Sequence, residues 1–255
     1  MGVAFEANEL LYLAMLCGAK EVFGISNAFY GKTDEEIRVL VDKTVKTCCN
    51  KDFVAIKNDG TQKIVDNYEK SIRIVSEADS ITELIVRNTK TQQIRYLVYK
   101  KGKERIILFE SGGEYFMVNS EEFDKVRYAI QTLFSDGCLV KTDIESFSLL
   151  PDEVNEAMSG KRAKANIIKA LLHDKGVDNI VALLVTEGVM GRAGYFSAAT
   201  INCSKKDVKS SFFLSDSGIT LQIATNSNRN IVFTVVDNES AKQKALSYLG
   251  GDFYV

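Results

Sequence analysis

The sequence predicts an α+β fold of two quasi-two-fold duplicated halves, an antiparallel β-sheet with flanking helical bundles. Three observations carry this reading. Apolar residues recur at helical spacing in several capped segments, and β-branched or aromatic runs separated by glycine turns follow them. Two landmarks also recur 118 positions apart: Thr33-Asp34-Glu35 and Pro151-Asp152-Glu153 each open a helix, and Val118-Asn119 and Val236-Asp237 each end a strand and cap one. The same offset lays the first helix on the segment around Glu121–Phe134. The predicted halves are 1–119 and 120–255, each helices then antiparallel strands, docked as one compact unit because neither can bury both faces of its own sheet.

The first helix spans Ala7 to Cys17 and stops at Gly18. Leu10, Leu11, Leu13, Met15 and Leu16 wrap most of its circumference, so it needs burial on several sides. Thr33 and Glu36 form a capping box for a second helix with the stripe Ile37, Leu40, Val41 and Val45. Asn58-Asp59-Gly60 reads as a hairpin turn. Asp66 and Glu69 repeat the cap pattern before a third helix with the stripe Ile72, Val75 and Ala78. Strands are expected at Ile94–Tyr99, Arg105–Phe109 and Tyr115–Val118. Asn119 and Glu122 cap the next helix, with the stripe Phe123, Val126, Ile130, Leu133 and Phe134. In the second half Pro151 suits the first turn of a helix, and Ile167, Ile168, Leu171 and Leu172 mark another. Strands follow at Tyr195–Ile201, Phe212–Leu214, Ile219–Ala224 and Ile231–Val236. Asp237 opens a final helix carrying Ala241, Ala245 and Leu249.

The chain has 255 residues, 45 % hydrophobic and 26 % charged, an ordinary globular mixture. Its 32 Lys and Arg against 34 Asp and Glu give a net charge of −2, poor support for a nucleic-acid partner. Leu10–Cys17 is far shorter than a membrane span and lacks the basic flank of a signal peptide, so a cytoplasmic protein is expected. Leu16 stands where a lipoprotein cleavage site needs a small residue, and Glu6 where myristoylation needs Ser or Thr. Cys17, Cys48, Cys49, Cys138 and Cys203 contain no C-x-x-C pair, which points to reduced, buried thiols and no zinc site.

No catalytic, cofactor or metal site is expected. Gly188, Gly191 and Gly194 follow the apolar run Ile180–Val185 but have the wrong spacing for a phosphate loop, and a strand follows where a helix is needed. Gly24-Ile25-Ser26-Asn27-Ala28 only echoes a nucleophile elbow, and the single histidine, His173, suits a helix C-terminus. Glu121-Glu122 and Asp34-Glu35-Glu36 fall in helix first turns, where the dipole favours acids. The Thr33 helix, the Asn58 turn and the Asp66 helix could form a winged-helix-type DNA-binding regulator, the alternative reading. Lys43, Lys46, Lys51, Lys57 and Lys63 would supply its charge, but Asp42, Asp52, Asp59 and Asp66 are interleaved with them.

The opening Leu10-x-x-Leu13-x-x-Leu16-x-Gly18, the Thr33 helix with Ile37 and Leu40, and the duplicated α+β layout resemble the EspG family of type VII (ESX) secretion chaperones. The resemblance spans nearly the whole chain as a pattern. The lysine-rich composition, with no Trp and one Pro, suits a divergent Gram-positive relative. It implies a cytosolic, non-enzymatic chaperone or adaptor that binds helical secretion substrates, WXG100- or LXG-like, before export. The expected protein-binding surface combines helices and a sheet face of the second half, with Phe212, Ile219, Leu221 and Ile223 as its candidate residues.

Overall fold

A computed structural model of the chain describes residues 3–88, 93–118, 120–134, 145–153, 164–216 and 218–249. Up to residue 134 the chain runs β1 (Ala4–Glu6), α1 (Ala7–Leu16), α2 (Asp34–Asn50), β2 (Val54–Ile56), β3 (Gln62–Ile64), α3 (Asp66–Ser76), β4 (Ser80–Arg87), β5 (Ile94–Lys101), β6 (Glu104–Ser111), β7 (Glu114–Met117) and α4 (Ser120–Leu133), the last of these beyond the 119/120 boundary expected from the sequence. From residue 145 it runs β8 (Ser146–Leu149), a helical turn at 151–153, α5 (Lys164–Asp174), α6 (Asn179–Val189), β9 (Gly194–Asn202), β10 (Val208–Asp216), β11 (Ile219–Thr225), β12 (Ile231–Val236) and α7 (Asn238–Ser247). Asn119 and Cys138 lie outside the described residues.

Ten strands form one antiparallel sheet in the order β1-β7-β6-β5-β4-β9-β10-β11-β12-β8, and β2–β3 is a separate hairpin. The order reads the same outward from the β4–β9 pair in both directions. On each side an innermost strand leads a three-hairpin meander, and a short strand from the start of that half closes the border. The junction joins Ser80 to Asn202 at one end and Arg87 to Tyr195 at the other. In this order the Pro151 turn holds the place after border strand β8 that α1 holds after border strand β1. The Thr33 helix is the next helix along, and the Glu121–Phe134 segment takes the place after β7 that α7 takes after β12. A single 118-residue offset therefore aligns the closing helix caps but not the opening helices.

Strand alternation sends odd and even positions to opposite faces. On one face α1, α2 and α3 close over Leu97, Tyr99, Leu108 and Tyr115, with Phe5, Leu10, Leu13 and Ile72 fully buried. On the same face of the other half, α5 and α6 close over Leu214, Ile219, Leu221 and Phe233. The opposite face carries α4 and α7 over Leu84, Val98, Ile107, Phe196 and Phe213. The mean sequence pattern explains the helices individually. α1 buries a run from Glu9 to Ala14, as its nearly all-round apolar surface requires. Glu9 itself is buried because it closes a capping box with Glu6 and meets Lys51 Nζ at 2.8 Å. Thr33 and Glu36 form the expected box on α2. The α3 cap differs: Val65 holds the N-cap position, and Asp66 turns outward to Lys63 at 2.6 Å. An aspartate already inside the first turn serves the dipole without capping.

Three strands were not evident from the sequence: β4, which is central to the whole sheet, and the border strands β1 and β8. The run Ile180–Val185 is the middle of α6, with Asp178 capping it through Ile180 N–H at 2.8 Å. Gly188 lies inside that helix and Gly194 begins β9, so the glycines join a helix to a strand and cannot cradle a phosphate at a helix N-terminus.

Candidate partner-binding surface

Among the described residues, the helices on the first face belong to two separate cores, one on each side of the centre of the sheet. Between them the outward positions of β4, β5, β9 and β10 stay half-exposed: Glu83, Ile85, Arg87, Arg95, Tyr195, Ser197, Ala199 and Phe212. Their chain neighbours Leu84, Val86, Phe196, Ala198 and Phe213 face the other way and are buried under α4 and α7. The trough is thus a property of the fold. The strands are covered on one side and only half-buried on the other.

Its walls are tied by specific bonds. Arg95 donates to Glu83 and Glu110, and its Nη2 donates to Gly24 O at 3.0 Å. Tyr99 donates to Phe23 O at 2.7 Å, and Ser26 N–H donates to the Tyr115 hydroxyl at 3.2 Å. Residues 23–26 are therefore held against the sheet. Gly24 has φ of 82°, and a Cβ there would stand 2.9 Å from Leu97 Cδ2, so the loop approaches as closely as only glycine allows. Opposite, Arg87 Nη2 donates to Ala193 O at 2.9 Å, and its guanidinium lies 4.5 Å from the Tyr195 ring centre. Tyr195 stacks on Phe212 at 5.8 Å and 11°. Burial pushes the Tyr195 phenol up from its ordinary value, partly countered by Arg87, so the ring enters the trough neutral. The floor mixes Ile85, Tyr195, Ala199 and Phe212 with charged groups: Arg95 pairs with Glu83 and Glu110, and Arg87 is held by the Ala193 carbonyl and the Tyr195 ring.

A second apolar feature adjoins the same half. α6 is apolar on nearly every side, yet only Val181, Ala182, Leu184, Val185 and Thr186 are buried. Ile180 and Leu183, three residues apart on one face, keep 43 % and 46 % of their surface.

The four residues singled out from the sequence share the first face but not one environment. Ile219 and Leu221 are 3 % and 0 % exposed and belong to the core beneath α5 and α6. Phe212 and Ile223 are paired in register and half-buried, and Phe212 forms part of the trough floor. Tyr195, Ile85, Arg87 and Arg95 were missed. The signal available was the β-branched alternation in Ser80–Arg87, which marks a strand with two different faces.

Small cavities lie elsewhere. One of about 310 Å³ lies between β5, β6 and α4, where burial and Glu122 push the Tyr96 phenol up to about 12. Another, about 350 Å³, is lined by Glu21, Phe23, Asp79, Ile81 and Cys203 among others. Burial, with Asp79 and Glu21 adding, pushes the Cys203 thiol up, which disfavours the thiolate a nucleophile needs. Among the described residues no group of His, Cys, Asp and Glu could hold a metal, and no helix is long and apolar enough to cross a membrane. His173 is exposed on α5, beside Asp174. In the lysine-bearing region around β2–β3, Lys51 pairs with Glu9 and Lys63 with Asp66.

No protein-family model matches the chain, and no curated protein matches it by sequence. A solved structure is similar over its length: the Mycobacterium tuberculosis type VII secretion system chaperone EspG5, in complex with a PE25–PPE41 dimer. The TM-score is 0.58 at 9 % identity, covering 99 % of this chain and 98 % of that one. The two chains share a fold, and the EspG-like architecture expected from the pattern of elements is present.

Proposed function

We propose that this protein is a non-enzymatic cytoplasmic chaperone that shields an apolar helical segment of a type VII secretion substrate, WXG100- or LXG-like, before export. The observation that carries the reading is the trough: Ile85, Tyr195 and Phe212 held half-exposed among paired charges where the two halves join, with the exposed Ile180 and Leu183 of α6 on the second half. The fold shared with a chaperone that is described in complex with a PE25–PPE41 dimer supports it. A helical hairpin awaiting export has an apolar surface that water penalises, and a preformed sheet face offers cover without reorganisation. Burial of roughly 800 Å² on each partner would suit a specific complex. We also read the two halves as copies of one β-α-α-α-β-β-β-β-α unit, with the β2–β3 hairpin as an addition to the first.

The test is co-expression of the full chain with a helical type VII substrate from the same genome. Co-purification as a defined complex, weakened by Tyr195→Ala and Leu183→Asp, supports the role. Loss of the complex in neither variant, or salt-steep binding of duplex DNA by the full chain, would overturn it.

A further inference from the structure

α2 is longer than its neighbour α1, and its first half holds no fully buried residue. Its 17 residues span roughly 25 Å, against roughly 15 Å for the 10 residues of α1 beside it. The bonds between the two helices tie the start of α1 to the later part of α2: Asn8 donates to Thr44 Oγ1 at 2.8 Å, and Lys51 pairs with Glu9. Only Thr44 and Cys48 of α2 are buried. Val45 and Cys49 pack against the core, but Ile37, Leu40 and Val41 are absent from that packing although they continue the same stripe. The first two turns of an amphipathic helix thus stand with an incompletely covered apolar side, and Val39 beside it is 66 % exposed.

The charges along this side are arranged symmetrically with opposite sign. A shallow groove runs past Glu36, Val39, Leu40 and Lys43. Glu36 and Lys43 are seven residues, two turns, apart on one face, with Val39 and Leu40 midway between them. Both capping bonds of Glu36 from Thr33 fall on Oε2, which leaves Oε1 available. Lys43 has no partner among the described residues. An antiparallel copy of the helix, turned about an axis between Val39 and Leu40, places each Glu36 opposite Lys43 of the other copy. The same operation sets Val39 of each copy against Leu40 of the other. A two-fold interface requires one patch complementary to itself, and this patch has that property. A heterologous partner would have no reason to find a sequence that complements its own reversal.

We propose that the N-terminal half of α2 is a self-association surface, through which two copies of the chain pair antiparallel in a two-fold dimer. The contact involves few turns of helix, so it belongs to the small class of interfaces, below about 1,200 Å² in total, and is reversible. It lies on the first half, apart from the trough, and does not depend on the chaperone reading.

Sedimentation velocity of the full chain over about 10 to 500 μM tests it, a range suited to such a weak contact. Wild type should shift from monomer toward dimer with concentration. Lys43→Glu places two acids in apposition and should leave the chain monomeric throughout, as should Glu36→Lys. An equimolar mixture of the two variants sets acids against lysines at both ends and should recover at least the wild-type association. Circular dichroism confirms that each variant keeps its helices, since Glu36→Lys also removes a cap. A monomeric wild type at every concentration, unaltered association in Lys43→Glu, or no recovery in the mixture would overturn the proposal. Capture of a different protein by this face of a monomeric chain would overturn it too.

Discussion

Thr82 of β4 and Thr200 of β9 face each other across the middle of the sheet, and their hydroxyls share a hydrogen bond of 2.8 Å. They are separated by 118 residues in the chain. The bond lies on the face covered by α4 and α7, in the one strand pair that joins the two halves. Replacing Thr82 by Val leaves the Thr200 hydroxyl without this partner and should cost about 1–2 kcal/mol. The double Thr82→Val, Thr200→Val variant should cost less than the two single changes together, because it removes both polar groups from a partly buried site. Urea unfolding of the four proteins checks the cycle.

Leu221 and Phe212 lie on neighbouring strands and on one face, yet they should respond differently. Leu221→Ala opens a cavity beneath α5 and α6 and should destabilise by about 2–5 kcal/mol. Phe212→Ala, at the half-exposed trough, should cost less stability and more partner affinity. Chemical denaturation and a pull-down with a helical substrate separate the two effects.

Gly194 begins β9 at a point where a Cβ would meet Leu133 Cδ1 at 2.5 Å, Ser215 O at 3.0 Å and Arg87 O at 3.3 Å. Two of those atoms are backbone and cannot swing aside. Gly194→Ala should therefore lower stability by about 1–3 kcal/mol. Gly31→Ala is the contrast: it has open space around it and only its positive φ to oppose the change. A smaller shift in thermal midpoint at Gly31 than at Gly194 is expected.

Hydrogen bonds from Thr33 hold the Glu36 carboxyl below its ordinary value, and bonds from Ser240 do the same for Asp237. For each, the native pKa lies below the unfolded one. Their contribution is complete above about pH 4.5 and is lost as the pH falls through the lower native values. The thermal midpoint should drop between about pH 5 and pH 3. Glu36→Gln with Asp237→Asn keeps acceptors at both caps without titrating, so the drop should become shallower.

Cys48 behaves in the opposite sense. Burial, reinforced by Glu9 and Cys49, pushes its thiol up to about 12. Its neutral form stabilises the fold fully below the ordinary thiol value, and that contribution fades as the pH rises toward 12. With a thiol reagent at pH 8, Cys48 should label only on unfolding, after Cys17 and Cys203, which are partly exposed.

What the sequence made legible was local. Thr33 and Glu36 belong to one turn, so their capping box follows from spacing alone, and the Asn58-Asp59-Gly60 hairpin is equally self-contained. Asp66 shows the limit, because one residue of register decides between capping a helix and pairing with Lys63. β4 was not seen because its two faces meet different surroundings: Leu84 and Val86 are buried, while Glu83 and Arg87 are half-exposed, and the run imitates neither a core strand nor a surface strand. The candidate site suffered from the same ambiguity. Ile219, Leu221, Phe212 and Ile223 have similar side chains and one orientation. Only the reach of α5 and α6 across the sheet decides which of them is core and which borders the trough, and that reach is a tertiary fact.

The strands at the two borders of the sheet hold three and four residues, Ala4–Glu6 and Ser146–Leu149. Ten strands in one continuous ladder would otherwise invite an eleventh from a neighbouring molecule. Stubs this brief give an incoming chain too few amides and carbonyls to zip onto, so growth of the ribbon from molecule to molecule is disfavoured at both margins. The protein can hold a wide, stiff β-platform without becoming a seed for fibres.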